Sequence, residues 1–180
     1  MTARISPVDV GLAEGQTKEL LGVVKSKFGT VPNALKTMAQ APAVLEGYLS
    51  LNGALAKGVL PAKVREQIAL TVSQTNGCEY CLSAHSLTGK LAGLQPDQIV
   101  ASRRGKANDP KAQAVLMLTQ NILERKGNVS DEQLAEARAA GVNEAEMVEV
   151  VGNIAVMVLT NFLNNVAHTD VDFPKVSVNL

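Results

Sequence analysis

The segment from Pro61 to Gly93 restricts the fold more than any other part of the chain. Pro61 opens an apolar pattern with helical spacing, and Asn76-Gly77, a pair that tolerates left-handed backbone, ends it. A second helical pattern begins at Cys78 and closes at Gly93. The sequence therefore predicts two consecutive helices joined by a tight turn, with no room for a strand between them.

The second predicted helix contains three side chains with redox or acid–base chemistry. Cys78, Cys81 and His85 occupy positions i, i+3 and i+7, so their directions fall within about 60° of one another. The Cα atoms of residues at i and i+3 lie about 5 to 6 Å apart, a distance that a disulfide can span. The spacing predicts two thiols that can cycle between dithiol and disulfide, with an imidazole on the same face.

Two features of this segment activate a thiol. The N-terminus of a helix favours thiolate over thiol through its free N–H groups and positive dipole end, and a nearby imidazole can take the proton. Glu66 lies on the preceding helix, which the tight turn folds back against the cysteine helix, so its carboxylate can orient His85. We predict a relay of Glu66, His85 and a cysteine.

Other interpretations of the cysteines stay open at this point. The pair can pack as small buried hydrophobes. A zinc site would use both cysteines, His85 and either Glu66 or His168, without the second ligand pair of a structural site. Haem attachment is excluded because Leu82, not His, follows Cys81. A thioredoxin-like motif would follow a strand, whereas here a helix precedes it.

These residues together resemble the signature of the carboxymuconolactone decarboxylase superfamily, in its alkylhydroperoxidase D-like, peroxidase-related branch. The spacing runs from Glu66 through eleven residues to Cys78-x-x-Cys81, then three residues to His85, and the closing segment 169–174 is also similar. The resemblance implies an all-α, compact helical domain of the alkylhydroperoxidase D-like type that oligomerises through helices, as a homotrimer or hexamer.

The resemblance also implies a thiol-dependent peroxidase, or disulfide oxidoreductase, that reduces small organic hydroperoxides or hydrogen peroxide. Cys81 is then the nucleophile, Cys78 resolves its sulfenate as a disulfide, and Glu66 with His85 relays protons. An external dithiol, of protein or lipoyl type, re-reduces the enzyme, and no cofactor or metal is implied. One position departs from the family: Tyr80 stands where the best-known members have a His, and a phenol is not a base near neutral pH.

The spacing supplies opposing arguments about which of the two thiols is the nucleophile. Cys78 is nearer the helix N-terminus, where the dipole lowers a thiol pKa most, whereas Cys81 has His85 at i+4. The oxygen that leaves a peroxide must be protonated as the O–O bond breaks, so the nucleophile needs an adjacent proton relay. This requirement favours Cys81. The alternatives are a non-redox, lactone decarboxylase-like enzyme, which has no need of two thiols one turn apart, and a metal- or partner-binding helical module.

Composition and charge set the class of protein. We expect one domain over residues 1–180, and with 46% hydrophobic but 3% aromatic residues its core must be built from aliphatic side chains, which suits close-packed helices. The formal net charge is zero and no basic cluster exceeds Arg103-Arg104, which argues against nucleic acid as a partner. The sequence has no pattern typical of a secretory signal or a membrane span, so we expect a cytoplasmic protein without a membrane partner.

The remaining chain reads as helices separated by caps. Residues 1–14 are expected to form an extended arm and 169–180 a C-terminal tail, and helices are predicted over 15–28 and after Pro32, Pro42, Pro96, Asp109, Ser130 and Asn143. On the last helix Asn161, Asn164, Asn165 and His168 form a polar stripe, which we interpret as a solvated or capping face rather than a wall of the active site. Tyr48 and Met38 are assigned to the core.

Overall fold

A computed structural model describes residues 3–180, and within them the chain forms nine α-helices and no strand. The helices are α1 (Gly15–Phe28), α2 (Asn33–Met38), α3 (Pro42–Leu55), α4 (Ala62–Thr75), α5 (Glu79–Leu91), α6 (Pro96–Arg103), α7 (Pro110–Arg125), α8 (Asp131–Ala139) and α9 (Glu144–Ala167). The predicted all-α class is confirmed. The alternation of apolar residues over 171–178 does not produce a strand.

Three helices begin directly after the capping residues that were predicted from the sequence. The side chain of Asp109 accepts a hydrogen bond from the N–H of Ala112 at 2.8 Å and opens α7. Ser130 and Asn143 each form a reciprocal capping box, which opens α8 and α9. These side chains accept hydrogen bonds from the first backbone N–H groups of a helix, which have no partner inside it. The sequence alone therefore predicts where these helices begin.

Helix α4 is the centre of the domain. It packs against α5, α6, α7 and α9, and its residues Ile68, Leu70 and Val72 are fully buried. Because the α4–α5 connection is a tight turn at Asn76-Gly77, in which Gly77 has φ +62°, α5 folds back along α4. This hairpin packs one face of the cysteine helix against the central helix and buries both cysteines.

Helix α9 is the longest element and has two apolar faces. One face packs on α3, α4 and α7 and buries Val150, Ile154 and Met157. The opposite face leaves Val148 and Phe162 exposed. The helix is long and apolar enough to cross a membrane, but the core helix of a globular domain meets the same criteria, and about half of it is buried in this fold.

The segments at the two ends of the described chain pack against the helices without forming helices themselves. Residues 3–14 are irregular, and the N–H of Arg4 donates to the carbonyl of Ala167 at 2.7 Å. The tail beyond α9 runs across α5, where the N–H of Val176 donates to Ser83 Oγ at 2.9 Å. This tail covers the N-terminal half of the cysteine helix.

Candidate active site

The structure places Cys78 at the N-cap of α5 and not inside the helix. Its backbone is extended, with φ −90° and ψ 95°, and the helix begins one residue later, at Glu79. The expectation that the helix begins at Cys78 is therefore wrong by one residue. The Cys78 side chain folds over the first turn and accepts the N–H of Cys81 at 3.3 Å, so the sulfur takes the part that a serine or aspartate oxygen usually has in a cap.

The two sulfurs lie together in the protein interior. Cys78 and Cys81 are free thiols, 0% and 3% exposed, with their Sγ atoms 2.6 Å apart. The hydrogen bond from Cys78 is the main cause that lowers the pKa of Cys81 to about 7, because it stabilises the thiolate against the cost of burial. The same hydrogen bond, together with burial, raises the pKa of Cys78. In the ionised pair Cys78 therefore keeps its proton as a thiol, and Cys81 carries the negative charge.

The order of the two pKa values is the opposite of what the helix-dipole argument predicts, because the pKa of Cys78 is the higher one. That argument assigned the lower pKa to the residue nearest the helix end, but Cys78 turns inward and has no solvent contact. The positive charge of His85 also lowers the pKa of Cys81. The environment therefore agrees with the choice of Cys81 as nucleophile, which remains a prediction.

Glu66 and His85 meet across the α4–α5 hairpin. Glu66 Oε2 accepts hydrogen bonds from His85 Nδ1 at 2.8 Å and from Thr88 Oγ1 at 2.7 Å. Both charged side chains are about three-quarters buried. Burial opposes their charges, yet their mutual attraction raises the pKa of His85 and holds the pKa of Glu66 below its usual value. With Nδ1 bound to the carboxylate, Nε2 is the nitrogen left to exchange a proton.

Two asparagines of α9 complete the environment of the thiolate. Asn164 Nδ2 donates to Cys81 Sγ at 3.3 Å, and hydrogen bonds from Asn164 and Asn161 favour the thiolate form. Asn161 is fully buried and Asn164 is 4% exposed. The interpretation of this stripe as a solvated face is wrong for both residues. The sequence signal for these residues was a polar stripe on an otherwise apolar helix. Because Asn161 and Asn164 are buried beside Cys81, they belong to the candidate site.

Tyr80 contacts helix α2 and the C-terminal tail. Its hydroxyl donates to Asp172 Oδ1 at 2.8 Å and accepts the N–H of Ala34 at 3.1 Å. Its ring meets Phe173 edge to face, with centroids 5.5 Å apart. Burial raises the pKa of Tyr80 well above its usual range. The best-known members of the family that the motif resembles have a His at this position, whereas here Tyr80 links the C-terminal tail to α2.

Tyr48 and Thr88 were not singled out as site residues from the sequence. Burial first, then the negative charges of Cys81 and Glu66, raise the pKa of Tyr48 to about 12. The sequence signal for Tyr48 was an apolar helical stripe, which does not distinguish core from site. Among residues 3–180, no group of three or more His, Cys, Asp and Glu side chains is arranged to hold a metal ion.

The fold and the site define an all-α protein with a buried Cys-x-x-Cys pair, supported from two neighbouring helices. Residues 42–121, from the start of α3 into α7, match the carboxymuconolactone decarboxylase family. This region contains the whole motif from Glu66 to His85. This match over 80 of the 180 residues agrees with the resemblance to the carboxymuconolactone decarboxylase superfamily that the motif predicted.

Two curated relatives match parts of the chain. An uncharacterized protein of Haemophilus influenzae is 44% identical over 70 residues, which are 38% of this chain and 57% of that protein. An alkyl hydroperoxide reductase of Mycobacterium tuberculosis is 30% identical over 112 residues, which are 60% of this chain and 32% of that protein. The chain thus spans between a third and three-fifths of the length of these relatives.

Solved structures share the fold over nearly the whole chain. An alkylhydroperoxidase core, from an uncharacterized peroxidase-related protein of Ralstonia eutropha, aligns with a TM-score of 0.84 and 21% identity, over 94% of this chain and 92% of that one. The debrominase Bmp8 in its apo form aligns with a TM-score of 0.78 and 19% identity, over 96% and 94% of the two chains. At these identities the likeness establishes the fold alone.

Proposed function

We propose that this protein is a dithiol peroxidase that reduces hydroperoxides at Cys81. The observation that carries the proposal is the pair of sulfurs 2.6 Å apart, with the pKa of Cys81 lowered to about 7. At neutral pH such a pair supplies a thiolate and, next to it, a thiol that can trap the oxidised sulfur. The similarity to an alkyl hydroperoxide reductase supports the same chemistry.

The proposed cycle has three steps. The Cys81 thiolate attacks the terminal oxygen of the hydroperoxide, an S–O bond forms as the O–O bond breaks, and the leaving alkoxide takes a proton from His85. The Cys78 sulfur then attacks the sulfenic acid, which forms the disulfide and releases water. An external dithiol reduces the disulfide by thiol exchange.

Glu66 gives His85 its part in this cycle. The carboxylate 2.8 Å from Nδ1 raises the pKa of His85, which favours the imidazolium form that can protonate the leaving oxygen. Thr88 holds the same carboxylate oxygen from one turn further along α5. The arrangement supports a proton relay from Glu66 and His85 toward the sulfur pair.

Titration of free thiols tests the proposal directly. One equivalent of tert-butyl hydroperoxide should remove both thiols per chain, and dithiothreitol should restore both, while the protein migrates as a single chain on a non-reducing gel. The Cys81→Ser variant, with one thiol, is the control and should lose none at the same dose. Retention of both thiols, or disulfides between chains only, would contradict the proposal.

The same titration separates the peroxidase from a lactone decarboxylase-like enzyme. A decarboxylase would use Glu66 and His85 as acid and base and would leave the cysteines reduced after turnover. The fold does not choose between chemistries, because a debrominase shares it. The adjacent, polarised thiols favour the redox alternative.

We also propose that the protein forms a homo-oligomer through α9 and works in the cytoplasm. Apolar side chains at Val148, Val151, Leu159, Phe162 and Val166 are exposed, and their spacing of three, four and seven or eight residues puts them on one face of the helix. An exposed stripe of this length is typical of a helix that packs against another subunit. A reducing compartment would keep the cysteine pair ready for oxidant.

A further inference from the structure

A cavity of about 480 Å³ lies beside the first turn of α5, between that helix, the end of α9 and the C-terminal tail. Tyr80, Asn164, Thr169 and Val171 contribute to its lining. The dithiol cycle described above gives this cavity no role. Its volume is in the range of sites that bind small organic molecules.

Two buried polar side chains of the lining each have an oxygen atom without a hydrogen-bond partner among residues 3–180. They are Asn164 and Thr169, whose Oδ1 and Oγ1 atoms are unpaired. The residues are 4% and 9% exposed. A buried acceptor without a partner destabilises a protein by about 1 to 3 kcal/mol, so these atoms call for a ligand that brings an O–H or N–H group.

Asn164 connects this cavity to the reactive thiol. Its Nδ2 donates to Cys81 Sγ at 3.3 Å. The nitrogen and oxygen of an amide are about 2.2 Å apart, so the unpaired Oδ1 lies within about 5.5 Å of the sulfur. An amide presents its oxygen and one N–H on the same edge, and partners bound to that edge lie side by side.

We infer that this cavity binds the hydroperoxide substrate and that Asn164 orients it against Cys81. The inference rests on the proposed peroxidase function. The amide N–H holds the Cys81 thiolate, and Oδ1 accepts a hydrogen bond from the terminal O–H of the hydroperoxide. The attacked oxygen keeps its hydrogen and becomes the sulfenic hydroxyl, the electron pair of the O–O bond leaves with the other oxygen, and that oxygen takes its proton from His85. Sulfur is oxidised and the peroxide is reduced to an alcohol.

The cavity favours a neutral organic hydroperoxide over hydrogen peroxide. Its volume is many times that of hydrogen peroxide, and the Tyr80 ring and Val171 give it apolar surface. The carboxylates of Glu79 and Asp170 accompany the ammonium group of Lys175 in the lining, so an anionic substrate gains no net attraction. An alkyl or aryl hydroperoxide without a charge matches these walls.

The first test compares two electrophiles on Asn164→Leu, in a Cys78→Ser background that isolates the Cys81 thiolate. At pH 9, where the thiolate predominates, oxidation by cumene hydroperoxide should slow by about 30-fold or more, the scale of one well-placed hydrogen bond at a reacting group. Reaction with methyl methanethiosulfonate, which has no O–H or N–H to donate, should change by less than about threefold. Equal losses with both reagents would show that Asn164 acts through the sulfur alone and would overturn its orienting role.

The matched control is Asn153→Leu. Asn153 is another buried asparagine of α9, whose amide donates to the carbonyl of Glu149 at 2.7 Å. It lies about 16 Å along the helix from Asn164. Its variant should oxidise at the parental rate with both reagents, and a loss as large as that of Asn164→Leu would overturn the assignment.

The second test narrows the cavity with Val171→Trp, so the inference does not depend on the folding of Asn164→Leu. The ratio of the cumene hydroperoxide rate to the hydrogen peroxide rate should fall about tenfold. An unchanged ratio, or slower re-reduction by dithiothreitol with unchanged oxidation, would assign the cavity to something other than the peroxide and overturn the inference. A parent protein that reacts with no hydroperoxide would overturn the proposed function as well.

Discussion

The hydrogen bond from Cys78 to the Cys81 sulfur can be removed by substitution of Cys78, whose sulfur also accepts the N–H of Cys81. Cys78→Ala deletes this donor, whereas Cys78→Ser keeps an O–H in its place. Because the hydrogen bond from Cys78 is the largest cause of the low pKa of Cys81, the two variants should differ in that pKa although both lack the resolving thiol.

The size of the difference follows from the charge on the acceptor. A hydrogen bond to a charged group contributes about 1.5 to 3 kcal/mol, which corresponds to about 1 to 2 units of pKa. With its pKa at about 7, Cys81 is about half thiolate at pH 7. In Cys78→Ala the thiolate at that pH should fall to between about a tenth and a hundredth, and Cys78→Ser should stay close to the parent.

The assay is thiolate absorbance near 240 nm against pH, in a protein whose lack of tryptophan keeps the background low. A lowered pKa means that thiolate is present above about pH 7 and is lost as the pH falls below it. The curve for Cys78→Ala should therefore move to higher pH, and its reaction with hydroperoxide at pH 7 should slow in proportion. Coinciding curves for the two variants would refute the role given to the Cys78 donor.

The same pair of positions decides which cysteine is the nucleophile. Cys78→Ser should form a sulfenic acid at Cys81 that dimedone traps, and Cys81→Ser should form none at Cys78 under the same peroxide dose. Equal labelling of Cys78 in the Cys81→Ser protein would show that the helix-dipole argument is correct after all.

Three further changes have defined outcomes. His85→Ala should slow peroxide consumption by about two orders of magnitude, the usual contribution of one acid–base group, with an unchanged circular dichroism spectrum; an unchanged rate removes His85 from the mechanism. Tyr80→Phe leaves the buried N–H of Ala34 without its partner at 3.1 Å and should lower the free energy of unfolding by about 1 to 3 kcal/mol in denaturant melts, a loss that a purely exposed hydroxyl would not give. Phe162→Glu places a charge on the exposed face of α9 and should reduce the mass measured by light scattering to the 18.9 kDa chain; an unchanged mass rules out this face as the subunit contact.

The sequence by itself determined where the helices begin and which residues form the group of two thiols and an imidazole. Helix starts at Asp109, Ser130 and Asn143 follow from side chains that cap their own backbone within three residues, so no distant contact is needed to specify them. The spacing from Cys81 to His85 is equally local. The contact between Glu66 and His85 could also be predicted from the sequence, because the tight turn at Gly77 folds the second helix back on the first.

Only the tertiary structure decided how the thiol pair is polarised. Asn164 reaches Cys81 from 83 residues away, and Tyr80 finds Asp172 across 92 residues, and no periodic pattern encodes such pairings. The inward turn of Cys78 at the N-cap reversed the expected effect of the helix end on its pKa. A local pattern specifies which way a side chain leaves its own helix, whereas burial, which decides whether a thiol is charged, depends on what the rest of the chain packs over it.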